Sequence, residues 1–148
     1  MVSEFRIEID RPLKDVYAAF NNPANMPRWL EGLQRTEQIS GTPGQVGSKM
    51  KQIYLERGRI VEMVETMTAH EPMKYMSGNL EAPGMNCAIH IEFVDKGTTS
   101  VVVARTEMQS RGLMMRLMLP FIRGTVRKRQ SGDLHRFKTK LEAGDLAL

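Results

Sequence analysis

Three polar side chains, Glu65, Tyr54 and Arg105, have the chemistry to bind or activate a small molecule if the fold brings them together. A carboxyl group that faces the interior loses its hydration, so its pKa rises and it can act as a general acid or base. A tyrosine presents a hydroxyl, and an arginine can pair with the carboxylate or polarise a carbonyl. These three side chains are the candidate catalytic residues, provided that their strands point them inward.

The direction of Glu65 depends on the register of the strand that carries it. The segment Arg59–His70 alternates in polarity and is rich in strand-forming residues. In one register Glu65 shares the inner face with Val61, Met63, Met67 and Ala69. In the other register Glu65 lies in water, and the inner face carries Ile60, Glu62 and Val64. A strand bulge would mix the two sets, so the sequence leaves both registers open.

The glycine-rich stretch SGTPGQVGSKM, residues 40–50, shares the composition of a phosphate-binding loop but not its order. A loop of the Walker type needs Gly-Lys-Ser/Thr at its end and a helix behind it. Here Gly47 is followed by Ser48 and then Lys49, and the next residues are typical of a strand. The Pro43–Gly44 pair suits a turn. We therefore predict a hairpin connection between the second and third strands.

The other reactive side chains do not form a recognisable centre. His70, His90 and His135 have no metal-ligand spacing, and the single Cys87 supplies too few thiols for a zinc site. His90 falls on the polar face of its strand, and Cys87 is expected to be a buried structural thiol. The sequence therefore indicates neither a metal site nor a cofactor.

Size and composition are typical of a globular protein. The 148 residues are 41% hydrophobic and 26% charged, so residues 1–148 are expected to form one domain with a sizeable core. No apolar run approaches the roughly 18 residues that cross a bilayer. The charged N-terminus and the lone cysteine favour a cytoplasmic location.

Positive charge is concentrated at the C-terminal end of the chain. The net charge is +4, yet residues 111–148 carry nine basic and only three acidic side chains. Interleaved aromatic residues are nearly absent from this region, so we do not expect nucleic-acid binding. A solvated helix face explains the charge, and transient contact with an acidic membrane surface is the favoured interaction. The sequence leaves open whether the protein is a monomer or a homodimer.

Hydrophobic periodicity divides the body of the chain into strands and two short helices. Residues 2–10 predict a strand, followed by a helix that Asp10 caps and a second helix that starts after Asn22 and runs through Trp29 toward Leu33. Turn residues then separate six further predicted strands, Thr36–Ser40, Lys49–Arg57, Arg59–His70, Lys74–Leu80, Met85–Val94 and Thr99–Gln109. The alternation is clearest in Met85–Val94 and predicts an antiparallel sheet with one dry face.

The last segment, from Leu113 to Glu142, returns to helical spacing. Its apolar stripe consists of Met115, Met118, Ile122, Val126, Leu134, Phe137 and Leu141. Pro120 is expected to kink this helix or to mark its start. A curved sheet cannot bury its concave face alone, so the helix must cross that face. The space left between sheet and helix is then a cavity.

The order of these elements, together with several short motifs, resembles the START-like helix-grip superfamily in its bacterial polyketide cyclase/dehydrase and lipid-transport branch. The resemblance covers about residues 3–142 and includes the motifs VYAAF at 16–20, P…PRW at 23–29, GTPG…G at 41–47 and EPMK at 71–74. It implies an α+β helix-grip fold, in which a curved antiparallel seven-stranded sheet wraps around a long C-terminal helix and two short helices follow the first strand.

The resemblance also implies a hydrophobic cavity for a lipid-, polyketide- or aromatic-like ligand. The main expectation is a non-catalytic carrier or binding protein. The alternatives are a cyclase or dehydratase that uses Glu65, and a protein-interaction module like the co-chaperone branch. The expected lining is rich in methionine, which adapts to ligands of varied shape. It comprises Trp29, Met50, Tyr54, Met63, Glu65, Met67, Tyr75, Met76, Ile89, Ile91, Met108, Met118 and Ile122.

Overall fold

The structure is a computed structural model that describes residues 2–110 and 112–148, except for the side chains of Ser110, Met115 and Leu119. Its strands are β1 (Val2–Ile9), β2 (Leu33–Ser40), β3 (Lys49–Glu56), β4 (Arg59–Glu71), β5 (Tyr75–Ala82), β6 (Met85–Asp95) and β7 (Ser100–Ser110). Its helices are α1 (Leu13–Phe20), α2 (Met26–Trp29) and α3 (Leu113–Glu142), with a 3₁₀ turn at Pro23–Asn25.

The strands form one curved antiparallel sheet in the order β1-β7-β6-β5-β4-β3-β2. Each strand from β2 onward pairs with the next one along the chain, and β1 pairs with β7. The polar and apolar alternation sets this register, because a slip by one residue would turn every side chain to the opposite face. The predicted α+β helix-grip arrangement with seven strands and a long C-terminal helix is confirmed.

The main core lies between one end of the concave face and the C-terminal half of α3. This helix packs chiefly against β1, α2 and β7. Its side chains Leu134, Phe137 and Leu141 are at most 3% exposed, as their predicted stripe requires. They contact the inward residues of the sheet and of the short helices, namely Ile7, Ile9, Leu13, Val16, Ala19, Trp29, Ile91, Phe93, Val102 and Ala104.

The N-terminal half of α3 does not continue this packing. Met118 is 49% exposed, so its predicted place in the buried stripe and in the cavity lining is wrong. Ile122 and Val126 are partly buried, and the side chain of Met115 lies outside the described residues. Pro120 lies within the continuous helix rather than at its start. The helix therefore covers the sheet with its second half only.

Two boundaries near the N-terminus also differ from the prediction. The residue before α1 is Pro12, and no side chain caps this helix. Asp10 instead donates its backbone N–H to Glu142 Oε2 at 2.8 Å, which ties the end of β1 to the end of α3. The second helix ends at Trp29, and β2 begins at Leu33 rather than Thr36.

The glycine-rich loop is a hairpin connection, as predicted, between β2 and β3. Its last residues bond across to β4: Gly47 donates its N–H to the Met67 carbonyl at 2.8 Å, and Met67 donates to the Ser48 carbonyl at 3.0 Å. Gly47 has φ +89°, a conformation that glycine adopts at little cost. These bonds hold the end of the loop against β4, at one end of the concave face.

A buried amide holds the C-terminal tail against the short helices. Asn25, 2% exposed, donates through Nδ2 to the carbonyls of Ala19 at 3.0 Å and Ala147 at 2.7 Å. Its Oδ1 accepts the Ala147 N–H at 2.9 Å. We expect Asn25→Ala to lower the free energy of unfolding by about 2–4 kcal/mol, because it leaves buried backbone groups unpaired. Urea denaturation measures this. Asn21→Ala removes an exposed amide bond and should cost less than about 1 kcal/mol; equal losses would contradict the assigned role.

Candidate functional site

A single row of side chains crosses the concave face over five strands. Met50, Glu65, Leu80, Cys87 and Met108 stand opposite one another on β3, β4, β5, β6 and β7 in turn. Cross-strand neighbours on one face lie about 5 Å apart at Cβ, so these side chains contact each other. Glu65 is thus the one carboxylate in a row of sulfur-containing and aliphatic side chains.

This arrangement answers the question of register for β4. Glu65 shares the inner face with Met63, which stands opposite Gln52, and with Met67, which stands opposite Gly78. A register shift after Met67 then brings His70 opposite Met76. The set of β4 residues that face inward therefore changes at this bulge. The sequence could suggest a bulge in this strand but could not place it.

The apolar surroundings raise the pKa of the Glu65 carboxyl, and burial is the largest cause. Gln52 opposes this shift, since its Nε2 donates a hydrogen bond to Glu65 Oε2. Gly78 leaves room for the carboxyl: a Cβ at Gly78 would lie 3.6 Å from Glu65 Oε1 and 3.1 Å from the Thr66 carbonyl. Glu65 therefore occupies a space that a larger residue on β5 would crowd.

A chain of hydrogen bonds leads from Glu65 toward the edge of the sheet. Gln52 donates to Glu65, and the Tyr54 hydroxyl donates to Gln52 Oε1 at 2.7 Å. Tyr54 is 7% exposed, and burial raises the pKa of its hydroxyl well above the usual value. The nearby Arg129 cation opposes this shift only partly. Tyr54 therefore keeps its proton at neutral pH and holds Gln52 in position.

Two side chains of α3 reach down to this face. The Arg129 guanidinium lies 5.4 Å from the centre of the Tyr54 ring, pairs with Glu56, and donates to the Glu31 carbonyl at 2.7 Å. Gln130 donates through Nε2 to Thr106 Oγ1 at 2.7 Å, while its Oε1 is buried without a partner. These contacts fix α3 above the sheet at the border between the packed half and the uncovered half.

The uncovered half of the concave face is a groove. We use the term concave groove for the surface formed by Met50, Met63, Glu65, Met67, Leu80 and Cys87, all of which are partly exposed. By contrast, the inward residues of the other half are buried in the core under α3. In place of the predicted space between sheet and helix, the structure has an open groove on the half of the concave face that α3 leaves uncovered, lined largely by thioether and aliphatic groups.

The other predicted lining residues have different places. Ile91, Met108 and Tyr54 face inward and are at most 8% exposed. Met76 and Ile89 pack against the core at its border with the groove. Trp29 is 5% exposed and packs on Phe20 and Phe137, so it belongs to the core rather than to the lining of the groove.

Two predicted residues lie on the wrong side of the sheet. Arg105 faces outward and forms an ion pair with Glu4 at 2.8 Å, so it does not meet Glu65. Tyr75 stands opposite Glu92 on the outer face, where its ring lies 5.6 Å from that of His90. Alternation along β5 and β7 sets both directions, because the residues next to them, Met76 and Ala104, face the core. The expectation that they line the site is therefore corrected.

A polar cluster on the outer face was not foreseen from the sequence. Ser77 Oγ lies 2.5 Å from His90 Nδ1, and His90 Nε2 lies 3.1 Å from Glu92 Oε1. The cluster borders a shallow depression of about 160 Å³. β5 is paired along both edges, so its backbone N–H groups serve the sheet and are not free to stabilise an oxyanion. The cluster is a cross-strand network that only the register reveals.

A second histidine closes one end of the concave face. His70, the last residue of the strand predicted at Arg59–His70, lies within β4, donates through Nδ1 to the Gly44 carbonyl at 2.6 Å, and accepts at Nε2 from the Tyr17 hydroxyl at 2.7 Å. These bonds connect α1, β4 and the glycine-rich loop. Because the Gly44 carbonyl can only accept, the ring proton is placed on Nδ1.

Over residues 2–110 and 112–148, no group of three or more His, Cys, Asp or Glu side chains could hold a metal ion. In the same part of the chain, no helix is long and apolar enough to cross a membrane.

The fold and the groove together define a helix-grip protein whose long helix covers half of a curved sheet. Comparison with known families identifies the branch. Residues 2–142 match the family described as polyketide cyclase / dehydrase and lipid transport, and the chain belongs to it. A comparison with curated proteins finds no match.

Solved structures with low sequence identity share this fold. The Zhui aromatase/cyclase from Streptomyces sp. R1128 aligns with a TM-score of 0.80 at 12% identity, over 96% of this chain and 93% of its own. The protein TTHA0849 from Thermus thermophilus aligns at 0.79 and 12% identity, over 97% and 99%. The di-domain aromatase/cyclase BexL aligns at 0.79 and 15% identity, over 96% of this chain and 46% of its own.

The raised pKa of Glu65 has a consequence for stability. The folded state retains the proton above the ordinary carboxyl pKa, so stability should fall as pH rises from that value through the raised one. Glu65→Gln removes this loss and should raise the melting temperature at neutral pH by a few degrees, with the difference shrinking toward pH 4. Thermal unfolding from pH 4 to pH 8 measures it. The outward Glu62→Gln is the control, and a pH-independent effect of Glu65→Gln would contradict the assigned environment.

Proposed function

We propose that the protein binds a small hydrophobic ligand in the concave groove and acts as a non-catalytic carrier or binding protein. The observation that carries this proposal is the partly exposed row from Met50 to Cys87, which continues the apolar face of the sheet beyond the part that α3 covers. Apolar surface of this kind gains free energy when a ligand removes it from water. The description of the family, which includes lipid transport, supports the same function.

The polar groups in the groove suit recognition better than catalysis. The Tyr54 proton is engaged by Gln52, and the Gln52 amide is engaged by Glu65. The hydrogen-bond chain thus ends at one carboxyl group, and Arg105 is outside the groove. Cyclisation of a polyketide-like chain needs an acid or donor at the carbonyl as well as a base. Glu65 alone provides one of the two.

The ligand is expected to carry one polar group on an apolar body. Glu65 can exchange a hydrogen bond with a hydroxyl or carbonyl, and the unpartnered Gln130 Oε1 can accept one from a hydroxyl. The thioether side chains of Met50, Met63 and Met67 adapt to varied shapes, so the apolar body is recognised loosely. A lipid-, polyketide- or aromatic-like molecule with a hydroxyl or keto group meets these conditions.

The second candidate function is a polyketide cyclase or dehydratase. The feature in its favour is the raised pKa of Glu65, which is a property of many general acids and bases. Two of the similar structures are described as aromatase/cyclases. Conversion of a linear poly-β-carbonyl substrate that Glu65→Gln abolishes and Glu62→Gln retains would establish this candidate. If the protein binds a ligand but does not convert the poly-β-carbonyl substrate, the carrier function is the one that remains.

Three further expectations belong to the same proposal. The lone cysteine favours a cytoplasmic location. Contact with an acidic membrane through the basic C-terminal helix suits a carrier that must load and unload its ligand. The third functional alternative, a co-chaperone-like interaction module, requires an exposed apolar surface outside the groove, and α3 has apolar residues of that kind. Monomer and homodimer are both compatible with these proposals.

The single cysteine offers a direct test of the groove. Cys87 is partly exposed within it, and burial raises the pKa of its thiol, so alkylation is slow but measurable. A hydrophobic naphthalene-type dye with a hydroxyl group should slow alkylation several-fold when it saturates the protein. Alkylation is followed by intact-protein mass spectrometry.

A pair of neighbouring substitutions separates groove binding from non-specific binding. Leu80→Trp fills the groove beside Cys87, while Asn79→Trp places the same ring on the outer face of the same strand. The dye should bind the Asn79→Trp variant as it binds the native protein and should bind Leu80→Trp weakly. Equal binding to both variants, or alkylation that the dye leaves unchanged, would contradict a ligand site in the groove.

A further inference from the structure

The N-terminal half of α3 carries an apolar surface that no other part of the described chain covers. Its five large side chains are 49–81% exposed, and we refer to them as the α3 apolar face: Leu113, Met114, Leu117, Met118 and Phe121. At about 100° per residue they fall within an arc of roughly 140°. The side chains that anchor the helix to the core, Leu134, Phe137 and Leu141, point to the opposite side. The α3 apolar face is therefore directed away from the sheet.

Basic residues border this surface. On the same helical spacing, the exposed Arg116, Arg123 and Arg127 lie roughly 40–80° beyond one edge of the arc, and the exposed Lys128 follows in line with the arc at its C-terminal end. Residues 111–132 contain no aspartate or glutamate. An apolar face with a cationic border and no acidic residue is the pattern of helices that lie in the interface of an anionic bilayer.

We propose that the α3 apolar face inserts into the surface of membranes that contain anionic lipids, with the neighbouring arginines on the headgroups. The inference rests on the proposed carrier function, since a carrier of water-insoluble molecules must collect and release them at a bilayer. It goes beyond a general basic contact because it assigns the binding to five apolar residues on one half of one helix. The long arginine side chains extend to the phosphates while the apolar residues enter the acyl boundary.

Charge favours a lipid surface over a second copy of the chain. Two copies that joined through this face would bring together two helix segments that are both basic, and residues 111–132 offer no carboxylate to compensate. An anionic bilayer compensates all of these charges. The covering surface that fits both the apolar residues and the charges is thus an anionic lipid layer.

Vesicle flotation tests the inference with the purified protein in the absence of groove ligand. The protein should float with vesicles of phosphatidylcholine and phosphatidylglycerol and remain largely unbound with phosphatidylcholine alone. The double substitution Leu117→Glu/Phe121→Glu should reduce binding at least about tenfold. Arg123→Gln/Arg127→Gln should reduce it roughly fivefold per charge removed at low salt, and high salt should abolish that difference.

Matched controls use exposed residues elsewhere on the protein. Val46→Glu/Ile60→Glu introduces the same charges at residues that are 63% and 62% exposed in the β2–β3 loop and on β4, and it should leave flotation unchanged. Lys14→Gln/Arg59→Gln is the control for lost positive charge. All altered residues lie on the surface, and unchanged melting temperatures will show that each variant is folded.

Several results would overturn the inference. The native protein could fail to float with anionic vesicles. The Leu117→Glu/Phe121→Glu variant could float as well as the native protein does. Sedimentation could also show a native dimer that this double variant dissociates while its flotation is unaffected. Protection of Cys87 by the dye is measured without vesicles. Loss of that protection with intact flotation would count against the groove alone, and the reverse result would count against the α3 apolar face alone.

Discussion

The packing of Phe137 against two aromatic residues of the short helices holds the structure together. Its side chain has no exposed surface, and its ring centre lies 5.1 Å from that of Trp29 and 5.5 Å from that of Phe20. Aromatic clusters of this kind bury large apolar areas. This contact fixes the C-terminal half of α3 on one end of the sheet. The sheet continues beyond that end, so the same packing decides which part of the concave face is core and which part is groove.

The division of the concave face into a packed core and an open groove determines the environment of the Glu65 carboxyl group. A carboxyl group in the packed half would be buried without access, and the cost of its charge would be hard to offset. In the groove it has one amide partner, supported by Tyr54, and it remains partly exposed. The arrangement keeps one polar group at a defined place in an otherwise apolar surface. Such a group orients a ligand whose body is held by non-directional contacts.

The sequence predicted the architecture well because its periodicities are strong. Alternation in β6 and helical spacing from Leu134 to Leu141 correspond to the observed faces. The sequence alone allowed Glu65 to face inward or outward, depending on the register of its strand. The pairing of Glu65 with Met50 and Leu80 decides between the two registers, and the sequence does not show that pairing. Arg105 and Tyr75 were mispredicted for the same reason: the direction of each side chain follows from strand pairing, and its capacity to form hydrogen bonds does not reveal that direction. The exposure of Met118 could not be read from spacing, which does not show where the sheet beneath a helix ends.

The central claim is that the concave groove holds a hydrophobic ligand. Native mass spectrometry of the protein purified without detergent, followed by organic extraction, tests it most directly. The account predicts an additional mass on the folded protein, or uptake of one molecule from an added mixture of hydroxylated hydrophobic compounds, that extraction removes and that Leu80→Trp prevents. A protein that carries no additional mass and takes up none from the mixture would contradict the claim.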